Sequence, residues 1–145
     1  MGRLLAVDDS ADSAELVARV AAKCGYDARS ISDPTGLDRL LRDWRPEVLT
    51  LDLCMPEADG IGLMSVLKEN GFDGQLVIIS GQDGWLRKAA ARLAEGRGLQ
   101  VAADLEKPID LAVLRQLLIG LSSPRIAAAD VPPARPPAID APSAA

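Results

Sequence analysis

Five side chains in this 145-residue chain are of types that do chemistry together: Asp8, Asp9, Asp52, Ser80 and Lys107. Each stands at or just beyond the end of a short apolar run. Leu4 to Val7 leads into Asp8 and Asp9, Val48 to Leu51 into Asp52, and Leu76 to Ile79 into Ser80. Val101 to Ala103 precedes Asp104-Leu105-Glu106-Lys107-Pro108. Continuous apolar runs of this length read as strands buried on both faces, as a parallel sheet requires. The carboxyl ends of parallel strands share one edge, where open α/β sheets place their ligands. Three carboxylates, a hydroxyl and an ammonium are thereby directed to one place.

Such a cluster has a definite electrostatic requirement. Two unit charges 4 Å apart repel by about 4 kcal/mol at an effective dielectric of 20, so a cation or a proton must offset them. Hard oxygen donors with room for water suit Mg²⁺. A lysine beside that ion favours a phosphoryl group, and a serine hydroxyl can donate to one of its oxygens. Aspartate is itself a nucleophile toward phosphorus.

The segments between the runs must carry the chain back across the sheet. Ser10 or Asp12 can cap a first helix whose core face is Leu16, Val17, Val20 and Cys24, stopped by Gly25. Tyr26 to Ile31 reads as a second strand. Asp33-Pro34 predicts a helix start, and Leu37, Leu40, Leu41 and Trp44 follow at helical spacing up to Arg45-Pro46. Ile61, Met64 and Leu67 mark a third helix, closed by Asn70-Gly71. A fourth is expected from about 83 to 95. Asp110 caps the last, which bears Leu111, Leu114 and Leu118. Five strand–helix alternations argue for a doubly wound α/β domain with helices on both faces of a parallel sheet. From Ser122 the composition shifts: 14 of the last 24 residues are Pro or Ala. That stretch is expected to be a flexible tail or linker, outside a folded domain of residues 1–121.

Composition narrows the function further. A net charge of −5, with no stripe of Lys or Arg, argues against direct nucleic-acid binding. No run approaches the roughly 18 apolar residues of a membrane span, and the N-terminus does not read as a secretion signal, so a cytoplasmic location is expected. The chain has no histidine, which removes His-based metal sites, Ser-His-Asp triads and the commonest general base. Cys24 and Cys54 alone cannot build a zinc site. Chemistry falls to carboxylates, hydroxyls, lysine and backbone.

Asp8-Asp9, Asp52 with Met55-Pro56 and Asp59-Gly60, Ser80 and Lys107-Pro108 together resemble the receiver domain of bacterial two-component response regulators. The resemblance spans residues 3 to about 121. It implies a flavodoxin-like (βα)5 fold and makes Asp52 the phosphoacceptor. Asp9 would ligate Mg²⁺ directly and Asp8 mainly through water, with the Cys54 backbone carbonyl as a further ligand. Lys107, before an implied cis peptide bond, would pair with the phosphoryl group, and Ser80 would swing toward it. Cys54 and Gln82, each two residues past a site residue, would tune the lifetime of the phosphorylated state. Asp59 is expected to order its loop or cap the third helix.

The resemblance also implies a partner: a sensor histidine kinase or a histidine phosphotransfer protein, which must supply the histidine this chain lacks. Output would pass by protein contact, with a homodimer through the fourth helix, fifth strand and fifth helix as one form. One position departs from the pattern. Three residues before the lysine, where the family usually has an aromatic switch residue, this chain has Asp104. Two readings stand beside a stand-alone phosphorylated receiver: a non-phosphorylated adaptor, and the receiver part of a longer regulator. A phosphatase with an aspartyl-phosphate intermediate would need a second aspartate where Cys54 stands.

Overall fold

A computed structural model describes residues 2–53, 60–81 and 84–122, with only the backbone for 60, 61, 84–87 and 122. The elements alternate: β1 (Arg3–Val7), α1 (Ala11–Lys23), β2 (Asp27–Ile31), α2 (Leu37–Asp43), β3 (Val48–Asp52), α3 (Gly60–Glu69), β4 (Gln75–Ser80), α4 (Gly84–Gly96), β5 (Gln100–Glu106) and α5 (Leu111–Ser122). All strand pairs are parallel, in the order β2-β1-β3-β4-β5. Parallel neighbours need crossover connections, and the helices supply them on both faces. Among the described residues, no helix is long and apolar enough to cross a membrane.

The period-two alternation of the strands divides the core into two layers. Leu5, Val7, Leu49, Leu51, Leu76 and Ile78 pack on one face with Leu37, Leu41, Met64, Leu67 and Ala90 of the helices. Leu4, Ala6, Val48, Val77 and Ile79 pack on the other with Val17, Ala21, Leu114 and Leu118. Every residue of β3 is buried, as befits the central strand. The most buried strand is thus the one that ends on Asp52, so the carboxylate is delivered by the most constrained part of the chain.

Helix boundaries follow from local chemistry, and several depart from the sequence expectation. Ser10 caps α1, its hydroxyl accepting from the Ser13 amide at 3.2 Å. Gly25 and Gly71 end α1 and α3 with positive φ of 97° and 76°, a region open to glycine at little cost. The helix expected from Asp33-Pro34 begins only at Leu37. Asp33 spends its carboxylate on the Thr35 amide at 2.8 Å, and Gly36 at φ 83° breaks the helical path before α2 starts. Leu16 and Leu111, expected on core faces, are instead 38% and 42% exposed. Ala14, Val17 and Ala21 take the core side of α1, so of the four residues expected there Val17 is fully buried and Leu16 is not. Cys24 is half-buried at the edge of the core. Trp44 packs against the core as expected, with the Arg29 guanidinium 4.6 Å from its ring centroid.

β5 is longer than the three residues its apolar content suggests. Pairing with β4 carries it through Asp104, Leu105 and Glu106, opposite Ile78, Ile79 and Ser80. The ladder satisfies the backbone whatever the side chains prefer, so tertiary pairing overrides weak β-propensity. That extension brings the following residue, Lys107, level with the end of β4.

Candidate functional site

β1 and β3 are neighbours, with Val7 opposite Leu51, so the next residue of each strand, Asp8 and Asp52, stands side by side. Both are buried, at 3% and 1% exposure, while Asp9 is exposed. One carboxylate oxygen from each of Asp8, Asp9 and Asp52 lies within 4.8 Å of the others. Asp8 is fixed by its own turn, its Oδ1 accepting from the Ser10 amide at 2.9 Å. Ser10, read from sequence as a helix cap, therefore also orients a site carboxylate.

Lys107 reaches the same point from β5. Its backbone N–H donates to the Ser80 carbonyl at 2.9 Å, and the peptide bond to Pro108 is cis, as the resemblance implied. Nζ donates to Asp52 Oδ2 at 2.9 Å and stands 3.1 Å from Asp8 Oδ2. Burial opposes the lysine's charge, but the hydrogen bond to Asp52 and the nearby negative charges of Asp52 and Asp8 outweigh it, holding its pKa above the usual value. Burial pushes Asp8 the other way for an acid, up to about 6, with the neighbouring Asp52 adding to the rise.

The charges do not balance within the cluster. Three carboxylates against one ammonium leave a formal excess of two negative charges. Asp8 Oδ2, although near Lys107, is buried without a hydrogen-bond partner among the described residues. A buried acceptor left in that state is costly, and a hard divalent cation satisfies both deficits at once. The exposed Asp9 leaves one side of such an ion open to water. The donor set therefore fits a small oxygen-loving cation.

Ser80 closes β4 and is fully buried, one residue beyond Ile79, which pairs with Asp52. Asp104 is half-buried on β5 opposite Ile78. Asp8, Asp9, Asp52 and Lys107 are thus brought together, Ser80 lies on the adjoining strand end, and Asp104 sits farther down the edge strand. Cys54, Met55, Pro56, Asp59 and Gln82 lie outside the described residues, as does the side chain of Trp85. What sequence reasoning missed is that Lys107 reaches Asp8 as well as Asp52. No periodicity or motif carries that information.

Comparison with known proteins identifies the family and agrees with the fold. The chain is 32% identical to the response regulator MprA of Mycobacterium leprae over 115 residues, 77% of this chain and 47% of that protein. It is 34% identical to protein-glutamate methylesterase/protein-glutamine glutaminase 5 of Myxococcus xanthus over 148 residues, 97% of this chain and 40% of that protein. The chain spans less than half the length of these two curated relatives. Among solved structures, a response regulator from Colwellia psychrerythraea superposes with a TM-score of 0.74 at 30% identity, covering 83% of this chain and 96% of the other. Residues 4–119 match the response regulator receiver domain family. With the five-stranded fold and its acidic strand ends already in place, the chain belongs to that family.

Proposed function

We propose that this chain is a phosphorylation-controlled signalling switch in which Asp52 takes a phosphoryl group from a phosphohistidine on a partner protein. The observation that carries the proposal is the placement of Lys107 Nζ between the buried Asp52 and Asp8, with Asp9 beside them. A carboxylate oxygen of Asp52 attacks phosphorus; the new P–O bond forms as the P–N bond breaks, and the imidazole leaves with the electron pair. Water later attacks phosphorus, releasing inorganic phosphate and restoring the carboxylate. The donor is a sensor histidine kinase or a histidine phosphotransfer protein, since this chain has no histidine. The chain's own catalysis is confined to these two steps on itself.

The remaining residues have assigned tasks. Asp8, Asp9 and Asp52, with the Cys54 backbone carbonyl, would hold Mg²⁺. When bound, Mg²⁺ offsets negative charge on the phosphoryl oxygens. Lys107 exchanges its bond to Asp52 for one to a phosphoryl oxygen. Ser80 donates its hydroxyl to another, which draws the end of β4 toward the site and changes the surface offered to partners. Cys54 and Gln82 govern access of the hydrolytic water. Asp104 replaces an aromatic, so the response along β5 is carried without a rotating ring. Residues 1–121 form the receiver unit, and 122–145, with a linker's composition, form the tail or the connection to an output region. A cytoplasmic location follows from the proposed donor.

The test is direct. The protein is incubated with Mg²⁺ and a small phosphodonor such as acetyl phosphate, and its intact mass is measured. One added phosphoryl group is expected, absent in Asp52→Asn and when Mg²⁺ is chelated. No added mass in the unaltered chain would favour the adaptor reading instead.

A further inference from the structure

A cavity of about 260 Å³ lies at the amino ends of the strands, across the sheet from the acidic site. It opens where β1, β3 and β4 begin, beside the carboxyl ends of α2 and α3. Arg3 and Glu47 stand at the starts of β1 and β3, Arg45 follows α2, and Asp73 precedes β4. The buried Leu41, Pro46 and Phe72 complete its lining. Arg3 is held at the wall, its Nη1 donating to the Trp44 carbonyl at 3.0 Å. Among the described residues, no ion pair joins either arginine to either carboxylate. Two positive and two negative groups that share one small space without neutralising each other suit a ligand that brings one charge of each sign.

Arg45 occupies a strained position at the edge of this cavity. Two residues past the ends of α1, α3 and α4 the chain turns left-handed, each time on a glycine: Gly25, Gly71 and Gly98, at φ 97°, 76° and 86°. Two residues past α2 the same turn falls on Arg45 at φ 56°, the one non-glycine residue with positive φ among the described residues. A side chain is disfavoured in that region, and the following Pro46 restricts Arg45 further. The turn itself uses only the Arg45 amide, which donates to the Leu40 carbonyl at 3.0 Å. Glycine would supply that amide without strain, so the turn gives no reason for a guanidinium, whereas the cavity beside it does. We infer that this cavity binds an amino-acid-sized zwitterion, its carboxylate taken by Arg45 and Arg3 and its ammonium by Asp73 and Glu47. A volume below the roughly 300–1,000 Å³ of pockets for larger ligands sets the size class. The site shares no residue with phosphoryl transfer, so it stands or falls separately from that reading.

Backbone amide NMR of the full chain tests this, with glycine, L-serine, L-glutamine and L-glutamate added in turn. Acetate and methylammonium serve as probes carrying a single charge. Saturable shifts at Arg3, Arg45, Glu47 and Gly71 to Asp73 are expected with at least one of the amino acids, at concentrations where neither single-charge probe produces them. Arg45→Gly and Asp73→Asn should each weaken that binding about tenfold. Arg45→Gly should at the same time keep or raise the thermal unfolding midpoint, because glycine relieves the turn. Absence of saturable shifts with all four amino acids at millimolar concentration overturns the inference. Equal binding of acetate overturns it too, since the carboxylates would then contribute nothing. A lowered midpoint in Arg45→Gly would assign the guanidinium to the fold and remove the argument for a ligand.

Discussion

Lys107 Nζ donates to Asp52 Oδ2 at 2.9 Å although the two residues are 55 positions apart in the chain. The same nitrogen stands 3.1 Å from Asp8 Oδ2, so a single ammonium holds two buried carboxylates together. The bridge is what allows the cluster to exist before any cation or phosphoryl group arrives.

Removing that bridge should be felt most when no other cation is present. Lys107→Met leaves Asp8 and Asp52 facing each other without an ammonium. Because Lys107 is 27% exposed in its side chain, the loss is expected to be about 1–3 kcal/mol rather than the larger cost of a fully buried pair. Urea unfolding in EDTA should show this loss, and added Mg²⁺ should recover much of it. Equal destabilisation with and without Mg²⁺ would break the link between the lysine and the metal position.

Asp8 sets a pH dependence of unusual sign for a carboxylate. Its folded-state pKa of about 6 is above the ordinary value of 3.8, so between these values the native state binds more protons than the unfolded one. Stability of the metal-free protein should therefore fall as pH rises from about 4 to about 6, by on the order of 2 kcal/mol. Asp8→Asn should remove that slope in a chelator-containing urea titration. Mg²⁺ affinity should run the other way, weakening below pH 6 as Asp8 takes up a proton.

Tyr26 ties the start of β2 to the far helix, its hydroxyl donating to the Leu118 carbonyl at 2.6 Å in a buried position. Tyr26→Phe keeps the ring and deletes the bond. A loss of about 1 kcal/mol is expected in chemical denaturation, with phosphorylation of Asp52 unchanged. A change in phosphorylation rate would instead connect α5 to the site.

Gln82 should act on rate and not on metal binding. Replacing it with Ala is expected to change the lifetime of the phosphoryl group on Asp52 severalfold, followed by intact mass after the donor is removed. Mg²⁺ affinity should stay close to that of the unaltered chain. Parallel changes in both quantities would place Gln82 among the metal-holding groups.

The amino-acid sequence alone determined the alternation of strands and helices and the residues at the strand ends. These depend on local apolar runs and on the alignment of parallel strands, both of which are short-range or topological. Asp8, Asp9, Asp52, Ser80 and Lys107 could be directed to one edge without knowing any distance. Tertiary structure decided what depends on pairing and volume. The ladder with β4 drew β5 through Asp104 to Glu106, and Gly36 with the Asp33 turn delayed α2 to Leu37. Packing against the sheet gave the core face of α1 to Ala14, Val17 and Ala21 and left Leu16 at the surface, a choice invisible to periodicity because both stripes are apolar. Only folding could show that one lysine serves two carboxylates, since a contact across 55 and 99 residues is set by where strands end in space.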